Sequence, residues 1–225
     1  MRERILCIAN SRKHQGHCIA GLTTRGKLIR LCGPSGAALS DADTDLGLMG
    51  QPRVLDELDV KLARPIPDGH QPENWLIADG ALRVSSRKAP SHWGPSIEKA
   101  REPSSVILGN DQPVISAEDA VKLGRSLELI RPKDLHFRMR WRPGLRIPRF
   151  RAAFRYRGAE YDLPVTDPSI ERELRKDKDV LNEKMHLPFP RCPGGGDLYA
   201  TVSIGEEYQD GMCYKLVAAL FCVPW

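Results

Sequence analysis

"RFRAAFRYRGAEYDLPV", residues 149–165, decides how this chain is read. Its first nine positions hold four arginines and three aromatics, and acids follow. Successive side chains of a strand alternate between faces, so Phe150, Ala152, Phe154 and Tyr156 point one way. Arg149, Arg151, Ala153, Arg155 and Arg157 point the other. One face is core and the other is basic. A turn at Gly158 and Ala159 returns the chain with Tyr161, Leu163 and Val165 inward. This register sets Arg157 opposite Glu160 and Arg155 opposite Asp162, opposite-charge pairs worth roughly 0.2 to 1 kcal/mol each.

The same alternation runs upstream in "LHFRMRW" (135–141), where Phe137, Met139 and Trp141 face His136, Arg138 and Arg140 across the strand. Downstream, Asp167 followed by Pro168 predicts a helix start, because proline's missing N–H is no loss in the first helical turn. "LYATVSI" (198–204) and "CYKLVAALFCV" (213–223) are two further strands. The order β-β-β-α-β-β is the connectivity of an OB-fold barrel, whose usual binding face is strands two and three with their flanking loops.

The N-terminal part opens as a meander: "ILCIAN" (5–10), "HCIAGLTT" (17–24) and "KLIRLCG" (27–33), the last two joined by a turn at Arg25 and Gly26. Another strand is expected in "VLDELDVKL" (54–62). Residues 88–113, punctuated by Pro90, Pro95, Pro103 and Pro113, read as a long loop-like insertion. Ser116 caps a short helix and a strand follows at Leu127–Ile130. The expectation is a mainly β protein with few helices, made of two OB-type five-stranded barrels. Residues 1–125 form the N-terminal one with its loop-rich insertion, and 126–225 the C-terminal one.

The chain has 225 residues, enough for two small cores, with 41% hydrophobic and 28% charged residues, ordinary for a folded protein. No apolar run reaches the eighteen or so residues of a membrane helix, and the apolar stretch after the basic start is too short for a signal peptide. A cytoplasmic location with no membrane partner is expected. The six cysteines form no CxxC pair and most lie in apolar runs, so they are read as reduced and buried. His14, His17 and Cys18 sit close together, but the second ligand pair of a zinc site is missing. Neither metal nor cofactor is expected.

Charge is concentrated. Residues 131–157 hold ten Lys or Arg against one acid, Asp134, so the window is +9 and the remainder of a +5 chain is −4. Such a local field suits a polyanion. With Arg155 and Arg157 paired across the hairpin, Arg138, Arg140, Arg142, Arg146, Arg149 and Arg151 are left as a stripe for nucleic acid, expected to be single-stranded. The loop "GEEYQDGM" carries Glu206, Glu207 and Asp210, would repel phosphates, and is a place for a partner protein. "HQPENW" (70–75) is the enzymatic alternative, with His70, Glu73 and Asn74 as base, acid and amide donor. No nucleophile or metal set accompanies it, and the preferred reading is structural, with Trp75 filling a core gap. "CPGGGD" (192–197) lacks the end of a phosphate loop and reads as linkage.

The stretches "ILCIANSRKHQGHCIAG", "HQPENW", "YRGAEYDLPVTDP" and "VSIGEEYQDGMCYKLVAALF", spread over the whole chain, resemble the prokaryotic dual OB-containing domain family. The resemblance implies nucleic-acid binding or a role beside nucleic-acid modification, defence or mobile-element functions. It carries over no catalytic residue. The resulting expectation is a non-catalytic module holding single-stranded or distorted DNA or RNA. An enzyme subunit acting through the His70 loop and a protein-interaction adaptor are the alternatives.

Overall fold

The computed structural model describes residues 1–13, 16–87, 91–101, 104–140, 149–176, 187–188, 192 and 195–223. β1 (Arg2–Lys13), β2 (Gly16–Thr23), β3 (Leu28–Cys32), β4 (Glu57–Pro65) and β5 (Asn74–Ser86) close into a barrel in the order β1-β2-β3-β5-β4. β1 closes it by serving two neighbours: residues 2–6 pair with β4 and residues 5–13 with β2. β3 and β5 are the parallel pair. Helix α1 (Asp41–Thr44) lies between β3 and β4, its start fixed by a reciprocal Ser40–Asp43 capping box. Ile5, Cys7, Ile19, Ile29, Leu31, Leu58, Val60 and Ile77 fill the barrel.

The segment expected to be loop-like contains a helix, α2 (Gly94–Ala100), entered through a 3-10 turn at Ser91–Trp93. Trp93 and Ile97 are each 1% exposed. A helix of about two turns is marginal on its own, and burial of these two side chains stabilises it. β6 (Val114–Ser116) and α3 (Ala117–Leu123) follow, with Ser116 accepting from Asp119 N as the capping pattern requires. They precede the expected division at residue 125 but join the C-terminal sheet, β6 pairing with its last strand.

The C-terminal half runs β7 (Leu127–Ile130), β8 (Lys133–Arg140), β9 (Arg149–Tyr156), β10 (Ala159–Pro164), α4 (Pro168–Leu174), β11 (Leu187–Pro188), β12 (Asp197–Glu207) and β13 (Met212–Val223). The expected order of strands and helix is present, and Asp167 caps α4 through Ser169 N and Ile170 N. Among the described residues the second barrel is not closed by a continuous ladder. Two four-stranded sheets, β10-β9-β8-β11 and β6-β13-β12-β7, curl over one core and touch through a parallel bridge at Val165 and Val217. Pro132 interrupts the strand between β7 and β8, and the left-handed Asp134 (φ 53°) lies at an irregularity near the start of β8. β7 then pairs with β12 and β8 with β9, the two tasks that β1 performs unbroken in the first barrel.

The halves meet over a third apolar cluster. Leu6, Ile8, Ala20 and Leu22 on the outside of the barrel pack with Leu127, Leu129, Tyr199, Ala219, Phe221 and Val223, and Trp93 and Ile97 join them. β1 is therefore buried on both faces, which is why "ILCIA" is continuously apolar rather than alternating. The cysteine reading holds for Cys7, Cys32 and Cys213, which are buried thiols, while the free Cys18 is half-buried. It fails for Cys192 and Cys222, which are joined in a disulfide that anchors residue 192 to β13.

Candidate nucleic-acid interface

The inner faces of β8 and β9 were read correctly: Phe137, Phe150, Ala152, Phe154 and Tyr156 are all in the core. The hairpin register differs. The turn is Arg157–Gly158, both with positive φ (48° and 91°), a geometry matched to the twist of the flanking strands. Tyr156 therefore pairs with Ala159, Arg155 with Glu160 and Ala153 with Asp162. The slip is two residues, so every side chain keeps its expected face and only the partners change.

This redistributes the arginines. Arg151, expected to be unpaired, donates from Nε to Asp162 Oδ1 at 2.8 Å and also bonds the Asp162 carbonyl. Arg138 reaches the same carboxylate at 3.6 Å. Arg155 meets Glu160 at 3.0 Å rather than Asp162. Arg157 leaves the ladder and lies over the Tyr156 ring at the turn. Arg149 is exposed and forms no ion pair with a described residue. Arg140 lies opposite Arg149 in the ladder, while its side chain and all of Arg142, Arg146 and Trp141 fall outside the described residues.

The ladder between β8 and β9 sets Lys133 opposite Arg155, Arg138 opposite Arg151 and Arg140 opposite Arg149. All three are like-charge pairs by position in the ladder, with Asp162 beside Arg138 and Arg151 and Glu160 beside Arg155. Such pairs are destabilising by about the amount that opposite charges stabilise, roughly 0.2 to 1 kcal/mol each. Neighbouring strands lie about 4.8 Å apart and same-face residues about 6.8 Å apart along a strand. The cations thus lie along a ribbon two strands wide.

At its Lys133 end the ribbon opens into a cleft of about 560 Å3, where Arg101, Arg131, Arg155 and Arg157 surround Tyr156. Arg131 and Lys133 belong to the basic window, but nothing in the sequence placed Arg101 beside them. It is positioned by the insertion, which is tied down where Ile107 N donates to Tyr161 Oη at 3.0 Å and Tyr156 Oη donates to Ser104 O at 3.2 Å. Arg101 and Arg131 lean on Glu98 and Asp197 respectively.

The His70 loop is turned inward to the seam. His70 Nε2 contacts Gly205 O at 2.7 Å, and Glu73 accepts from Ser126 N, Ser126 Oγ and Leu127 N. Asn74 Oδ1 accepts from the buried Arg30, whose other arm reaches Ser203 Oγ, both at 3.1 Å. These side chains clasp barrel to sheet, and Asn74 meets the Arg30 and Gln71 side chains rather than the local backbone. Trp75 is half-buried at the barrel's flank under Lys27, so it does not fill the core gap assigned to it.

His17 is held between Asn10 and Asp41 at 2.9 Å each, and His14 lies outside the described residues. Among the described residues no three His, Cys, Asp or Glu side chains gather as metal ligands. In the acidic loop Asp210 accepts from Met212 N and Tyr214 Oη and shapes the turn, leaving Glu206 and Glu207 exposed beside Tyr208.

Against known proteins, the family model described as "Dual OB-containing domain" matches residues 3–220. No curated protein matches the sequence. Among solved structures, one described as a murine DNA-binding protein bound with double-stranded DNA aligns over 100% of both chains at 6% identity, with a TM-score of 0.36. At that score the likeness carries no argument about function.

Proposed function

The chain belongs to the dual OB-containing domain family, and on that premise we propose that it is a nucleic-acid-binding module. It grips a phosphate backbone on the outer face of β8 and β9. The observation that carries this reading is the run of cations that one ladder sets opposite one another, which the two acids Asp162 and Glu160 offset only in part. A merely solvated face gains nothing from such pairs, whereas a polyanion laid along them removes the repulsion. Arg138, Arg140, Arg142, Arg146, Arg149 and Arg151 remain the assigned contacts, joined by Lys133 and Arg157. Arg151 also braces Asp162.

A ribbon this narrow suits one backbone at a time, hence single-stranded or distorted DNA or RNA in the cytoplasm, in a modification, defence or mobile-element system. A partner protein is assigned to the Glu206–Glu207 loop, where Tyr208 is 66% exposed. An enzyme acting through the His70 loop is disfavoured, because hydrogen bonds across the seam engage that loop's polar groups.

The test is fluorescence anisotropy with labelled single-stranded and duplex DNA and RNA over a series of salt concentrations. Arg138→Ala plus Arg149→Ala is expected to weaken binding and to flatten the slope of log K against log salt by about 1.4 for a single strand, about 0.7 per lost contact. Absence of binding to every form at low salt would return the stripe to an ordinary solvated face.

A further inference from the structure

The two halves leave a second, separate cleft of about 870 Å3 beside the far ends of β1 and β2, the turn before β4 and the start of α4. Small-molecule sites have this size and favour this kind of position between packed units. Three arginines reach it from three parts of the chain: Arg12 from β1, Arg53 from the turn and Arg172 from α4. All are exposed, and none forms an ion pair with a described residue.

The nearby acids have partners other than these arginines, although Asp41 and Asp167 also line the cleft. Asp41 is turned to His17 at 2.9 Å, and Asp56 is held by Arg87 at 2.7 Å. Asp167 is buried, with Oδ1 taken by Ser169 N, Ser169 Oγ and Ile170 N. The arginines therefore keep their charge for an anion, and their planar forks suit phosphate.

The remainder of the wall asks for more than phosphate. Pro52, Val54, Leu220 and Phe221 supply an apolar surface. Two residues of the lining, Gln51 and Asp167, each hold a buried acceptor, Oε1 and Oδ2, that meets no hydrogen-bond donor among the described residues. Burial pushes the Asp167 carboxyl above its usual range, against the pull of the Ser169 and Ile170 hydrogen bonds. Native folds rarely leave such groups unmet, and a ligand's N–H edge would answer them.

We infer that this cleft binds a phosphorylated nucleoside, with its phosphate among Arg12, Arg53 and Arg172 and its base against the apolar wall, amino edge toward Gln51 and Asp167. The same chemistry is offered by a free mononucleotide or by the phosphorylated end of a strand. The cleft shares no residue with the arginine face of β8 and β9, so the two assignments stand or fall separately.

Calorimetric titration of the full chain tests it, using the four ribonucleoside 5′-monophosphates, their nucleosides, inorganic phosphate, and one oligonucleotide with and without a terminal phosphate. The expected result is 1:1 saturation by at least one monophosphate, or a gain on adding the terminal phosphate. The parent nucleoside and inorganic phosphate should each bind at least ten-fold more weakly. Arg53→Ala plus Arg172→Ala should abolish ten-fold or more of that affinity or gain, whereas Arg138→Ala plus Arg149→Ala should leave it within two-fold. Thermal unfolding checks that both variants remain folded. Tighter binding of the free nucleotide assigns a small-molecule site, and a gain confined to the oligonucleotide assigns a strand-end site. No saturation by any probe, equal binding of nucleoside or bare phosphate, or indifference to the Arg53 and Arg172 changes would overturn the inference.

Discussion

Glu73→Ala is expected to lower the stability of the chain by about 3 to 5 kcal/mol, the largest effect of any exchange in the His70 loop. The carboxylate accepts from Ser126 N at 2.6 Å, Ser126 Oγ at 2.9 Å and Leu127 N at 3.2 Å, where β7 begins. Hydrogen bonds to a charged acceptor are worth about 1.5 to 3 kcal/mol each and do not add in full, and removing the acceptor leaves three buried donors unmet. Glu73→Gln keeps one acceptor oxygen and should lose about half as much. Urea unfolding measures both as a lowered midpoint at unchanged slope. A loss below about 1 kcal/mol for Glu73→Ala would mean the clasp is not formed. Lost nucleic-acid turnover in a fully stable variant would revive the enzymatic reading.

Lys215→Ala should destabilise by a similar amount, about 3 to 5 kcal/mol, through lost packing of the buried stem and three lost hydrogen bonds. Lys215 is fully buried in β13, and its Nζ donates to Ile107 O, Asn110 O and Asn110 Oδ1. Burial pushes its ammonium down to about 8. In the unfolded chain the same group titrates near 10.4. Between these values the unfolded chain holds a proton that the folded chain has released, so stability rises with pH through that window, by at most about 1.4 kcal/mol per unit. Below about pH 8 both states are protonated and the slope from this group vanishes. Lys215→Met, which keeps the stem, should remove the rising limb, and unfolding midpoints from pH 7 to 10 would detect it. An unchanged limb would place the proton release elsewhere. Because residues 107–110 are held by Lys215 and Tyr161 together, the Ala variant should also loosen the segment that brings Arg101 to the basic cleft.

Much of the candidate interface was legible because strand alternation belongs to the backbone itself. Phe137, Phe150 and Phe154 could be assigned to the core, and Arg138, Arg149 and Arg151 to the outside, from period two alone. Even the mistaken turn did no harm to these faces, since a slip of two residues preserves them. What it hid was which cation meets which acid. That depended on Arg157 adopting a left-handed backbone, a conformation seldom taken by residues other than glycine and one that no neighbouring residue announced. The OB-type order of strands was legible too. The barrel expected to carry the loop-rich insertion is the closed one, because Pro132 divides in the second half the strand that β1 keeps whole in the first.

By itself, then, the sequence determined most of the strands, though not β5, β6 or β11, together with their inward faces, the caps at Ser116 and Asp167, and the concentration of charge, all of which are set by residues within a few positions of one another. Tertiary structure alone decided the rest. "ILCIA" announced burial on both faces but not that Leu6 and Ile8 would meet Phe221 and Tyr199. Trp93 and Ile97 made a helix only because a seam was there to receive them. Cys192 and Cys222 carry no spacing signal, and only the fold brings them together. His70, Glu73 and Asn74 have the residue types of a catalytic set, yet their partners lie as far as 135 residues away in sequence. Their role was decided by which two surfaces came into contact. Local patterns follow from the geometry of one strand, whereas the use of a polar side chain depends on the long-range contact that removes it from water and supplies its partner.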